Sequence, residues 1–276
     1  MKKIKTWGLI TAVALIFVAI VIGVLNYNTD EIPKNDLLTQ KTIIKTLKKH
    51  GVSLKEDRSK SSNDFELSGV KPAIFSVDNG KGTLLVYTFK SIGERKDIIS
   101  NSGKYDNQFS LFEIPLKAKN AYLVYIVSAP ENPTTEEWKS MAEPIHLISN
   151  TVFKYLNDGK EIIFKGESES WEGTFTLKYY KHWWHNEKGM LKIECHSEEL
   201  PEIQYKMTDI TDVGPIIGEY KTTSGGGSIT GATLDKDGYL NLGHGSSNGA
   251  IHNIEKDIFF TIKWNGKEEN IILKPQ

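Results

Sequence analysis

The chain predicts an α+β fold class: an N-terminal transmembrane helix, a small α+β domain, then an all-β sandwich or barrel domain. Three observations carry this. Trp7 to Leu25 is an uncharged apolar run with Lys2, Lys3 and Lys5 just before it. Residues 36–158 mix helical and strand-like apolar spacing, and from Lys160 onward the apolar period becomes two.

The run from Trp7 to Leu25 spans roughly 29 Å at a helical rise of about 1.5 Å per residue, close to the thickness of a bilayer's hydrocarbon core. It is read as a single anchor, with the lysines holding the N-terminus in the cytoplasm and the rest extracytoplasmic. The competing reading is a cleaved secretory signal. That needs a small-x-small site after a shorter apolar stretch, and Ala12-Val13-Ala14 lies in the middle of this one. A lipid anchor is excluded because the only cysteine is Cys195.

Residues 26–35 are polar, contain Pro33 and read as a tether. Leu37, Leu38, Ile44 and Leu47 then recur at helical spacing, with Asn35 or Asp36 available as cap and Gly51 placed to end the helix. Strands are expected at 65–69, 73–77 and 83–89, with Asn79-Gly80 as a turn before the last. Ser91-Ile92-Gly93-Glu94 has the form of a capping box and predicts a short helix to about Ser102. Ala121 to Val127 reads as a strand buried on both faces. Thr134 to Glu137 is a second capping box, opening a helix whose stripe runs through Trp138, Met141, Ile145, Ile148, Val152, Tyr155 and Leu156, with Pro144 expected to kink or split it.

Beyond residue 160, alternation in Trp171 to Tyr179, Leu191 to Cys195, Ile203 to Met207 and Ile258 to Trp264 predicts half-buried strands. Asn265-Gly266 and Asp237-Gly238 supply tight turns. Seven or eight such strands with glycine-rich turns make residues 160–276 a sandwich or barrel separate from 36–158.

Composition narrows function. Without its three N-terminal lysines the chain carries a formal charge of −4, and residues 160–276 contribute −5 with no arginine. Neither value attracts nucleic acid. A single cysteine excludes an intramolecular disulfide.

The densest group of functional residue types is Tyr179 to His185, from which Tyr180, His182, Trp183, Trp184 and His185 are the candidate ligand-binding residues. Their rings could stack on a sugar or peptide. His182 and His185 could hold a metal on a helix or tight turn, but in a strand they point to opposite faces, so no metal is assigned. Gly245-Ser246-Ser247-Asn248-Gly249 matches the nucleophile-elbow pattern yet lacks a following helix, and His252 and Asp257 come too soon to serve as partners. Cys195 and His196 are adjacent on a strand and cannot pair, and Cys195 is expected in the core with Leu191 and Ile193. Ser224 to Ser228 precedes no helix and reads as a loop. Glu167, Glu169 and Glu172 read as a solvated face. No catalytic residue and no cofactor is predicted.

The segment Gly166-Glu167-Ser168-Glu169-Ser170-Trp171, the closing Lys263-Trp264-Asn265-Gly266-Lys267 hairpin and the glycine-rich loops between them resemble a β-rich domain of uncharacterised lipoproteins and membrane-anchored surface proteins of Bacillus-type Gram-positive bacteria. The upstream stretches 83–96 and 118–127 resemble the N-terminal part of the same group. The resemblance implies a cell-surface location and brings no catalytic residues; this chain departs from the lipoproteins in lacking a lipidation cysteine.

The function these readings favour is a membrane-anchored extracytoplasmic module that binds an envelope protein or cell-wall polymer without catalysis. The alternative is a carbohydrate-binding or wall-modifying protein that uses the aromatic cluster.

Overall fold

The computed structural model describes residues 36–102, 113–128, 134–211 and 213–276. Leu37–Gln276 form one compact unit. Within it, the described strands make a five-stranded and a nine-stranded sheet.

The first helix, α1 (Gln40–Lys49), begins at Thr39, whose hydroxyl accepts the Thr42 amide, rather than at the Asn35 or Asp36 offered by the sequence. It ends where Gly51 takes φ +93°. The smaller sheet runs β1 (Leu54–Glu56), β2 (Ala73–Val77), β3 (Gly82–Thr88), β5 (Ala121–Val127), β4 (Glu113–Ala118), all neighbours antiparallel. Helices cover both of its faces. Ile43 and Leu47 of α1, with Met141 and Ile148 of α3 (Thr135–Thr151), pack on Leu84, Val86, Leu123 and Tyr125. Ile99 of α2 (Ile92–Ser102) and Leu67 close the opposite face over Leu85, Tyr87, Tyr122 and Val124. This two-sided cover explains why β3 and β5 are nearly continuous apolar runs.

Several local expectations change. Residues 65–69 form no strand, because Ser68 and Gly69 sit at φ +46° and +88° and leave Leu67 a single bridge to Val70. Thr134 and Glu137 do make the capping box, but α3 continues through Pro144 unbroken and ends in a π turn, Val152–Leu156. Trp138 and Tyr155 fall outside the packed stripe and are exposed.

The larger sheet has the order β10-β9-β13-β14-β6-β7-β8-β11 and curls into a nearly closed barrel. Its strands are β6 (Lys160–Glu167), β7 (Trp171–His185), β8 (Leu191–Tyr205), β9 (Ile216–Lys221), β10 (Gly226–Ala232), β11 (Tyr239–Asn241), β12 (Gly245–Ser247, paired with β8), β13 (Ile258–Trp264) and β14 (Lys267–Pro275). Phe164, Trp171, Phe175, Phe260 and Ile262 fill the interior, with Trp171 edge-on to Trp264 at 5.2 Å. The chain passes close to β14 at Gly166, where a Cβ would lie 2.3 Å from the Ile272 carbonyl oxygen. Asn265 and Gly266 both take positive φ, the geometry of a two-residue hairpin between β13 and β14.

Two larger corrections follow. Of the described residues 46% are strand and 22% helix, so the fold class is mostly β, with a barrel-like sheet and a second sheet, rather than α+β. The reason is the length of β7 and β8: each has 15 residues, and they run as one ribbon where several short strands were expected. Among the described residues no helix is long and apolar enough to cross a membrane. The longest, α3, carries Glu136, Glu137, Lys139 and Glu143. The expected span at 7–25 and tether at 26–35 lie outside the described residues. The membrane-anchored, single-pass placement is therefore withdrawn.

Candidate functional site

The ribbon formed by β7 and β8 pairs in one unbroken register from Trp171↔Tyr205 to His185↔Leu191. Alternation puts odd positions on one face and even positions on the other. Along 171–179 the odd face points into the barrel. Beyond it, the even face of the projecting end is covered by the N-terminal layer. Tyr180, His182 and Trp184 stand on that face, opposite His196, Glu194 and Lys192. The predicted cluster is thus divided. Trp183 and His185 lie on the other face, and His185 is exposed.

His182 is 2% exposed and stacks on Tyr180 with ring centroids 4.8 Å apart. Its Nε2 lies 3.1 Å from the Asn157 carbonyl oxygen, to which it donates. Asn157 itself grips the β4–β5 turn, accepting from the Lys119 amide and donating to the Lys117 carbonyl. Trp184 lies over the start of α2: a Cβ on Gly93 would be 3.3 Å from its indole nitrogen, and Lys96 Nζ sits 5.2 Å from the ring centroid.

Between α2 and the ribbon is a cavity of about 180 Å3, with Arg95, Lys96, Lys117, Tyr180, Glu194 and Asn248 in its lining. Arg95 is one of only two arginines in the chain and is fully buried. Its Nη2 donates to Glu194 Oε2. Among the described residues, Nε and Nη1 are buried without a hydrogen-bond partner. Burial pushes the Glu194 carboxyl up, but the facing His182 imidazole and the Arg95 guanidinium outweigh it and hold Glu194 below the ordinary carboxylate range. Glu194 thus sits ionised between Arg95 and His182, whose Nδ1 is 3.8 Å from Oε2 and also without a hydrogen-bond partner. Burial first, then the Glu194 charge, raises the Tyr180 phenol, so it keeps its proton and remains a donor.

Next to the cavity, His196 Nδ1 is 3.0 Å from Asn248 Oδ1 and Nε2 is 3.4 Å from Glu198 Oε1. The carboxylate beside it raises His196, and the imidazole in turn lowers Glu198.

The other sequence candidates lack a reactive arrangement. Ser247 Oγ accepts the Gly249 amide. His252 is buried elsewhere, with Nδ1 accepting the Thr223 amide and Nε2 donating to the Lys256 carbonyl. Cys195 is half-buried rather than core, because Leu191 and Ile193 on its face are exposed, and burial pushes its thiol up. A broader groove of about 690 Å3 lies beside His50 and Tyr155, which stack at 3.6 Å. None of the unpartnered buried polar atoms among the described residues belongs to its lining.

Sequence reasoning missed Arg95 and Glu194. A signal was present: Glu194 and His196 alternate with apolar residues on a strand, and charged groups on a covered face require a partner. No family model, curated protein or solved structure matches the chain.

Proposed function

We propose that this chain is a non-catalytic binding module whose ligand enters the cavity between α2 and the projecting end of the β7–β8 ribbon. The observation that carries this is Arg95, fully buried with Nε and Nη1 unpartnered while it lines a cavity. Buried N–H donors left without acceptors are costly, and a ligand that supplies the acceptors relieves that cost. Tyr180 and His182 join the cavity wall and its support, which keeps part of the expected aromatic cluster in the binding role. The carbohydrate-binding alternative needs neighbouring rings on one surface, and Trp183 and Trp184 stand on opposite faces of the ribbon. The non-catalytic part is supported by the occupied partners of Ser247 and His252 and by the raised thiol of Cys195.

The test is a fragment screen on the full chain followed by the 15N resonances of the Trp184 indole and the Arg95 and Asn248 groups. Ligands should perturb these together and leave Trp171 and Trp264 in the barrel unmoved. If hits cluster in the groove beside Tyr155 instead, the cavity is not the site.

A further inference from the structure

We infer that the ligand of this cavity is a small free oxyanion, a phosphate or a short dicarboxylate, held by Arg95, Lys96 and Lys117. The inference rests on the proposed binding role of the same cavity and adds the chemistry it selects.

Charge is the first argument. Among the described lining residues, Arg95, Lys96 and Lys117 come together with one carboxylate, Glu194, which is already bound to Arg95. All three cations come from the N-terminal layer, and the acidic residues beyond position 160 contribute only Glu194 to the charged lining described. Depth is the second. Of the three lining cations Arg95 is fully buried, whereas Lys96 and Lys117 are exposed. A ligand arriving from solvent therefore meets the exposed lysine charges before the buried guanidinium.

Donor type is the third argument. The two nitrogens without acceptors belong to a planar guanidinium, which suits carboxylate and phosphate oxygens and has no acceptor capacity of its own. The Tyr180 phenol and the Asn248 amide, both in the lining, can add neutral donors. Size is the fourth. About 180 Å3 accommodates a small anion but not a polymer chain, and this favours a free solute over an envelope polymer. Glu194 has a defined part. It anchors Nη2, so the remaining donors keep a fixed direction instead of folding back onto the carboxylate.

The experiment titrates the full chain with inorganic phosphate and with succinate at constant ionic strength, read by calorimetry and by the Trp184 indole resonance. Both lysines are exposed and lie outside the buried pair; Lys96→Gln with Lys117→Gln removes the cation over Trp184, so circular dichroism checks the fold of the double variant and calorimetry reads its binding. Binding to this double variant should weaken about tenfold or more, the loss expected for charge-assisted contacts. Arg95→Gln should abolish it, with circular dichroism confirming that the variant is folded. A phosphorylated polymer tested in parallel should bind no better than free phosphate. Equal binding to wild type and the double lysine variant, or no anion binding at all, overturns the oxyanion assignment. Tighter binding of the polymer overturns the choice of a free solute. Neutral fragments that still perturb Trp184 and Asn248 when anions do not would leave the binding site standing and the anion class wrong. Silence from both removes the two together.

Discussion

The two ends of the β7–β8 ribbon share one register and one period, yet they are built from opposite chemistry. In the barrel half the enclosed face presents Trp171, Phe175, Leu177 and Ile203, all fully buried. In the projecting half the covered face presents Tyr180, His182, Trp184, Glu194 and His196. Strand parity does not change between them; what covers each face does. Inside the barrel other strands cover the odd face, and apolar burial holds it. Outside, α2, Lys117 at the end of β4 and Asn157 meet the even face, and the contacts are a buried ion pair, an imidazole on a backbone carbonyl and a cation over an indole. The first half excludes water by shape. The second leaves a cavity with unmatched donors, which is where a binding role can arise.

Truncation in the barrel half should have the largest effect. Phe175→Ala removes a fully buried ring in contact with Phe164, Tyr220 and Phe260, and should cost about 4 kcal/mol, read by denaturant unfolding. A loss near that of a surface change would mean that the barrel interior is looser than its packing indicates.

Next is Glu194→Leu, which strands the buried Arg95 charge and should cost about 3 kcal/mol. Adding Arg95→Met should restore most of the stability while anion binding stays lost. If the single change is neutral, the projecting half tolerates apolar residues as the barrel does, and the contrast fails.

Asn157→Ala tests the clip between the ribbon's support and the smaller sheet. It leaves the Lys119 amide and Lys117 carbonyl without their side-chain partner, for about 1–3 kcal/mol, and hydrogen exchange at Lys119 should accelerate. Unchanged exchange would mean that the turn is held by other contacts.

The smallest effect is in pH. His196 is raised, so its contribution is fully present below its ordinary value of 6.5 and fades as pH rises through the raised value. Glu198 is lowered from 4.5, so its contribution is present above that value and is lost as pH falls through the lower one. The pair therefore stabilises most between pH 4.5 and 6.5. Its partly exposed position limits the contribution to below about 1 kcal/mol. Melting temperatures of wild type and His196→Gln should differ most in that window and converge above it; a constant offset across pH would show a packing effect instead.

Local signals in the sequence were sufficient for much of the fold. The Thr134 and Ser91 caps, Ala73–Val77, Ala121–Val127, the Asn265-Gly266 hairpin and the period of two after Lys160 all depend on neighbours within a few residues, where steric and hydrogen-bonding preferences act directly. The same local logic failed at 65–69, where positive φ values broke an apolar run, and Pro144 did not split α3, which carries it within its packing.

For the site, strand alternation alone puts Tyr180, His182 and Trp184 on one face and Trp183 and His185 on the other, a division that reading the five as one patch passed over. It also determined that His182 and His185 cannot converge. Only the tertiary structure decided what that face meets. Arg95 and Glu194 are 99 residues apart, and their pairing depends on α2 being laid against a ribbon that outgrows its barrel. Periodicity reports that a face is covered; the identity of the cover is a long-range packing outcome, set where the two sheets come together.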